Sequence, residues 1–145
     1  MSQLEEATKL IQSYLPFNGK TAIILGSGLG HICKSLINKK TLPYKKIPHY
    51  PISTVEGHAG ELVSGNFGGQ NVLISNGRFH LYEGFSESDI IFPFKIFKNL
   101  GIKNVITTNS SGSLNKRFPP GTLMAIDEHV DCSFQSNYKD LKKVN

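Results

Sequence analysis

The sequence has little cysteine: Cys33 and Cys132 are its only two. A pair so far apart makes no disulfide framework. His31 and Cys33 lie two positions apart, a spacing that on a helix would not face one metal ion, so no metal site is expected. Long hydrophobic runs are also missing. None approaches the roughly 20 residues that a membrane-spanning helix needs, so no membrane association is expected. The N-terminal "MSQLEEATKLIQSYL" is acidic and amphipathic, unlike a secretory leader, and the expected location is the cytoplasm. Basic residues outnumber acidic ones, 16 to 11, for a formal charge of +5. They are scattered as "NKK", "YKK", "KIFKN" and "DLKKVN", without the aromatic interleaving of a nucleic-acid surface. The charge fits a solvated surface with a bias toward anionic ligands. There is no GK[ST], which excludes a Walker loop, and no internal repeat.

What is present suffices for one domain with a real core: 145 residues, 39% hydrophobic and 10% aromatic. Ser2 and Glu5 have capping-box spacing, and Leu4, Ala7, Ile11, Tyr14 and Leu15 share one face, so a helix is predicted up to Pro16. Thr21–Leu25 reads as a short apolar strand, followed by a glycine turn and a helix from about Leu29 to Ile37. "LPYKKIPHYP" reads as extended and proline-bounded. Leu62–Phe67 and Asn71–Ser75 read as strands joined at "GGQ". "SESDIIFPFKIFKNLG" carries a helical stripe, with Pro93 expected to bend it and Gly101 to end it. "NVITTNSSGS" reads as a strand running into a small-residue loop. Alternating strands and helices predict an α/β fold: a mixed, largely parallel central sheet flanked by helices. The polar segment after Asp131 shows no period.

Four stretches could carry chemistry. In "GSGLG", residues 26–30, a strand enters a glycine turn that offers backbone N–H groups and the Ser27 hydroxyl to an anion. By itself it serves equally well as a plain turn, and the dinucleotide fingerprint fails because His31 stands where a third glycine belongs. In "NGRFHLYEG", residues 76–84, Arg78, His80 and Tyr82 would share one face of an extended segment, and Arg78 suits bidentate phosphate contact. "TTNSSGSLN", residues 107–115, ends a strand in small residues, where open α/β sheets bind ligands. In "STVEGHAG", residues 53–60, His58 sits between glycines, a setting that suits contact with a ligand.

These stretches, with "IPHYPISTVEGHAGELVSG", "FPFKIFKNLGIKNVITTNSSGSLN" and "PGTLMAIDEHV" in the same order and spacing, closely resemble the trimeric class of purine nucleoside phosphorylases. The resemblance implies a phosphorylase-type fold, with residues 1–130 forming the N-terminal part of the domain and 131–145 a divergent polar tail. It implies cleavage of purine (deoxy)ribonucleosides by inorganic phosphate as co-substrate, with no other cofactor, in a homo-oligomer. It assigns Ser27, His58, Arg78, His80 and Ser110 to phosphate, Tyr82 to ribose, and His80 with Glu83 to catalysis. Ser110 and Ser111 stand where the family commonly has two alanines, and Ser113 where it has a glycine. Hydroxyls there keep the backbone N–H donors and could alter base preference. The family's base-recognising residues lie beyond the matching stretch, so a phosphate-binding remnant or one half of a split enzyme is the alternative expectation.

Overall fold

The computed structural model describes residues 1–52 and 60–128. Helix α1 spans Gln3–Tyr14, and strand β1 spans Thr21–Leu25. After a 3-10 segment over Gly30–Ser35 come β2, Ile37–Pro43, and a single 3-10 turn over Tyr44–Lys46. Strands β3, Glu61–Phe67, and β4, Gln70–Asn76, form a hairpin. A 3-10 turn over Leu81–Glu83 leads to α2, Glu87–Asn99, and then to β5, Asn104–Thr107.

The α1 box is present as predicted. Glu5 N–H donates to the Ser2 hydroxyl and Ser2 N–H to the Glu5 carboxylate. The hairpin turns on Gly68 and Gly69, both at positive φ, the conformation a tight two-residue turn between twisted strands demands. Helix α2 runs through the buried Pro93 and stops as expected at Gly101. There Gly101 N–H donates to Lys98 O and Ile102 N–H to Phe97 O, the paired bonds of a Schellman ending. Ile102 and Phe97 are both buried in the core, which adds the hydrophobic contact common to that motif.

The strands form one mixed sheet in the order β2-β3-β4-β1-β5. β1 is parallel to β4 and β5, whereas β3 is antiparallel to β2 and β4. Successive side chains alternate between its two faces. Ala22, Ile24, Leu62 and Leu73 pack with Ala7, Ile11 and Leu15 of α1 and Ile96 and Phe97 of α2. Leu25, Val63, Val72 and Ile74 pack instead with Cys33 and Leu36. Each fully buried Leu, Ile or Val contributes about 1.5–3 kcal/mol relative to exposure, so the central strands hold the fold together.

One predicted element is corrected. No helix fills Leu29 to Ile37; two turns of 3-10 helix end at Ser35, and Ile37 already pairs with Asn66 across the sheet. Leu29, Cys33 and Leu36 have helical spacing, but so short a segment has little intrinsic helix stability. Strand pairing with β3 decides its course. The extended reading of residues 42–51 holds for the end of β2, and the Tyr44–Lys46 turn interrupts it.

The chain divides into two units, Met1–Ser110 and Ser111–Asn145. The described part of the second consists of turns closed by Phe118 N–H on Asn115 O and Thr122 N–H on Pro119 O. The tail predicted over 131–145 lies outside the described residues.

Candidate functional site

Parallel strands align their carboxyl ends, so β1, β4 and β5 end at the same edge of the sheet. Open α/β sheets place ligands at such an edge. Three predicted stretches leave the strands there: Gly26–Gly30 after β1, Gly77–Gly84 after β4, and Thr108–Ser110 after β5.

The β4 stretch is the most firmly built. Arg78 Nε–H donates to His80 Nε2 at 2.9 Å, and Nη1–H donates to Thr108 O at 3.2 Å. On the far side of the ring, His80 Nδ1 lies 2.8 Å from Glu83 Oε1. With Nε2 accepting from the arginine, Nδ1 carries the proton and donates to the carboxylate. The Glu83 side chain is only 2% exposed and also accepts from His80 N–H at 3.1 Å. Tyr82 stacks on the ring, with centroids 4.6 Å apart and planes 20° from parallel. The alternation expected to gather Arg78, His80 and Tyr82 therefore brings them together by another route. The chain is extended at His80 and then turns over Leu81–Glu83, and the turn lays Tyr82 against His80. A guanidinium has five N–H donors; two are engaged here, leaving three without a partner among the described residues.

The β1 turn is held differently. Leu29 N–H reaches Gly26 O at 3.3 Å, and Gly28 takes a φ of +85°, which favours glycine. His31 Nδ1 sits 3.1 Å from Gly28 O, so the residue that breaks the dinucleotide fingerprint closes the turn on itself. Ser27 is exposed and makes no hydrogen bond among the described residues. The expected α-helix N-terminus is absent, so the turn offers an anion backbone N–H groups and the Ser27 hydroxyl without an α-helix dipole behind them.

Thr108 joins turn and wall, a role that spacing along the chain did not reveal. Its hydroxyl accepts from Gly26 N–H at 2.9 Å and donates to Ile24 O at 3.1 Å, while its carbonyl accepts from Arg78. An alanine at position 26 would put a Cβ 2.5 Å from that same carbonyl oxygen, so the approach of β1 to β5 requires glycine. Ser110, two residues further on, is exposed. His58 lies outside the described residues.

A second buried network sits under the wall. The Tyr44 hydroxyl lies 2.6 Å from Ser75 Oγ and donates to Gly77 O at 2.8 Å. Burial pushes its phenol well above the ordinary value, so the proton stays on the oxygen. Tyr50 packs against it, with centroids 4.6 Å apart and planes tilted by 36°, and is 5% exposed; its hydroxyl faces those of Ser75 and Tyr44 without meeting hydrogen-bond geometry with any described residue.

Comparison with known proteins fits this geometry. The family described as the phosphorylase superfamily matches residues 20–143. Purine nucleoside phosphorylase 1 of Bacillus subtilis is 43% identical over 129 residues, which are 89% of this chain and 48% of that protein. Its counterpart in Geobacillus stearothermophilus is 41% identical over 128 residues, 88% of this chain and 47% of that one. A crystal structure of Schistosoma mansoni purine nucleoside phosphorylase in complex with acetate superposes with a TM-score of 0.73 at 36% identity, covering 81% of this chain and 43% of that one. The chain thus spans about half the length of the relatives it matches. With the family model matched over most of its length, the chain belongs to the phosphorylase superfamily, and these purine nucleoside phosphorylases are similar to it in sequence and in fold.

Proposed function

We propose that this chain carries the phosphate-holding part of a purine nucleoside phosphorylase site. The reaction would convert purine (deoxy)ribonucleosides and inorganic phosphate to free purine and (deoxy)ribose 1-phosphate. A phosphate oxygen bonds to C1′ of the sugar as the C1′–N bond to the purine breaks. The bonding pair leaves with the base, which takes up, overall, the proton that hydrogen phosphate gives up on becoming an ester. Phosphate is already a nucleophile, so the protein's main task is to position it and to keep its charge close to a sugar turning cationic.

The observation that carries this reading is the arginine at the strand ends. Arg78 is fixed by His80 and by the Thr108 carbonyl and, among the described residues, keeps three donors for an anion. Glu83 holds the His80 ring in the tautomer that accepts from Arg78, so the ring acts first as a brace for the guanidinium. Ser27, His58 and Ser110 complete the phosphate site in this reading, Tyr82 meets the ribose, and phosphate is the co-substrate with no further cofactor. A homo-oligomer, trimeric by resemblance, acting in the cytoplasm in purine salvage belongs to the same reading. No described helix is long and apolar enough to cross a membrane. A relative solved with ribose 1-phosphate, 37% identical with a TM-score of 0.72, supports the product assignment.

Charge-assisted hydrogen bonds are worth roughly 1.5–3 kcal/mol each. Arg78→Ala is therefore expected to weaken phosphate binding at least about tenfold by calorimetry. Unchanged affinity in a folded variant would remove Arg78 from the site. A second reading is phosphate binding without turnover, with the purine-facing part supplied by a separate chain. Strand β5 favours it, since Val105 and Ile106 are 42% and 50% exposed and β5 pairs with β1 alone among the described strands. Inosine cleavage by the 145-residue chain on its own supports the first reading. Cleavage only after a separately made C-terminal half is added supports the second.

A further inference from the structure

We propose that Tyr44 is a positioning residue for the Arg78 guanidinium, acting through the carbonyl of Gly77. The inference rests on the phosphate reading of Arg78 and adds a residue that the resemblance does not assign.

The geometry is local. Gly77 has a φ of +127°, so the chain leaves β4 through a conformation that few residues other than glycine adopt. Its carbonyl belongs to the peptide unit whose nitrogen is that of Arg78, and that unit is planar. Fixing the carbonyl fixes the plane from which the arginine departs. Two hydroxyls reach the carbonyl, Tyr44 at 2.8 Å and Ser75 at 3.1 Å, themselves 2.6 Å apart, so two protons serve three contacts and Tyr44 is the nearer donor to the carbonyl. Tyr44 is 1% exposed and Ser75 2%, so water does not compete for the carbonyl. The tyrosine is anchored in turn. Its ring packs against Tyr50 at 4.6 Å and against Phe79, the neighbour of Arg78, at 5.6 Å. Its backbone N–H donates to Gly60 O at 2.8 Å, beside the start of β3. The hydroxyl therefore reaches the turn from a rigid part of the core. Two fixed points then define the arginine: the Gly77 peptide at its root, and His80 with Thr108 at its tip. A site that works by positioning is sensitive to small displacements of its groups.

Tyr50 supplies the control. It lies in the same aromatic cluster and is nearly as buried, but among the described residues the hydroxyls on the Gly77 carbonyl are those of Tyr44 and Ser75, not that of Tyr50. A role in packing alone makes Tyr44→Phe and Tyr50→Phe behave alike, because both keep the ring. A positioning role separates them.

The experiment has two readouts on the full chain. Phosphate affinity is measured by calorimetry for the wild type, Tyr44→Phe, Tyr50→Phe, Arg78→Ala and Tyr44→Phe/Arg78→Ala. Exchange of the Arg78 Nε–H with water is measured by NMR without phosphate. Tyr44→Phe is expected to weaken phosphate about fivefold, the scale of one hydrogen bond, and to speed Nε–H exchange. Tyr50→Phe is expected to change neither. The double variant is expected to bind no more weakly than Arg78→Ala, because Tyr44 acts through the arginine. If Tyr44→Phe does not fold, Ser75→Ala tests the same carbonyl with the same expectations. Equal effects of the two tyrosine variants overturn the proposal, as does unchanged Nε–H exchange in Tyr44→Phe. A wild type that does not bind phosphate overturns the phosphate reading, and the exchange measurement then still decides whether Tyr44 holds Arg78.

Discussion

The wall after β4 and the turn after β1 end at one edge of the sheet and are built on opposite plans. Three side chains of the wall brace one another: Arg78 leans on His80, His80 on Glu83, and Arg78 again on Thr108. The turn is held by its backbone and by His31, while Ser27 stands in solvent. Under the proposed phosphate reading the wall is a preassembled clamp, its guanidinium oriented by its neighbours. The turn offers N–H groups that a ligand can recruit at little structural cost. A site made of one rigid half and one light half places the burden of affinity on the rigid half.

The largest effect is expected where the two halves touch. Gly26→Ala drives a Cβ to within 2.5 Å of the Thr108 carbonyl oxygen, a backbone atom that cannot rotate away. Relieving the overlap moves β1 from β5 and pulls the same carbonyl off Arg78. Overpacking of this kind costs about 1–3 kcal/mol. Denaturant unfolding is expected to show that loss, and calorimetry a weaker phosphate affinity in the folded variant. A variant as stable as the wild type with full affinity would mean that turn and wall are independent.

The next effect is smaller and sharpens the contrast. Ser27→Ala removes an exposed hydroxyl that bonds to nothing among the described residues, so stability is expected to stay within about 0.5 kcal/mol. The hydroxyl can give the anion one hydrogen bond, worth roughly 1.5–3 kcal/mol, whereas Arg78 gives it several donors and a full positive charge, so affinity should fall less than in Arg78→Ala. Equal losses in the two variants, measured in one titration series, would erase the distinction between rigid and light halves.

This contrast also marks what the sequence could disclose. Features set by neighbours three to five positions apart were legible. They include the Ser2–Glu5 box, the Gly68–Gly69 hairpin and the Gly101 ending, as well as the crowding of Arg78, His80, Tyr82 and Glu83. Features set by strand pairing were not. Leu29, Cys33 and Leu36 imitate a helix, and only the pairing of Ile37 with Asn66 shows that a strand begins there. Thr108 meets Gly26 across 82 positions and Tyr44 meets Gly77 across 33, and no local period announces either. The chemistry-bearing residues were recognisable by type, and the groups that brace them became visible only in the fold.

The smallest effect concerns a second box just past the wall. In both His80–Glu83 and Ser86–Asp89 a carboxylate accepts from the N–H three residues before it, the first pair part-buried and the second exposed; in the second the leading side chain also accepts from the backbone N–H of its partner. Hydrogen bonds from the Ser86 hydroxyl and from its N–H hold the Asp89 carboxyl below its ordinary pKa. The sign follows from linkage. A folded pKa below the unfolded one gives stability that is complete above the unfolded value and disappears as pH falls through the folded one. Asp89→Asn keeps the size of the side chain and removes its charge. At pH 7 the variant is expected to melt slightly below the wild type. The gap is expected to close as pH falls from the ordinary carboxylate range, about 4, through the lowered folded value. Melting curves followed by circular dichroism at a series of pH values between these limits check it. A gap that persists unchanged in acid would mean that size or helix preference, and not the charge at the cap, separates Asp from Asn here.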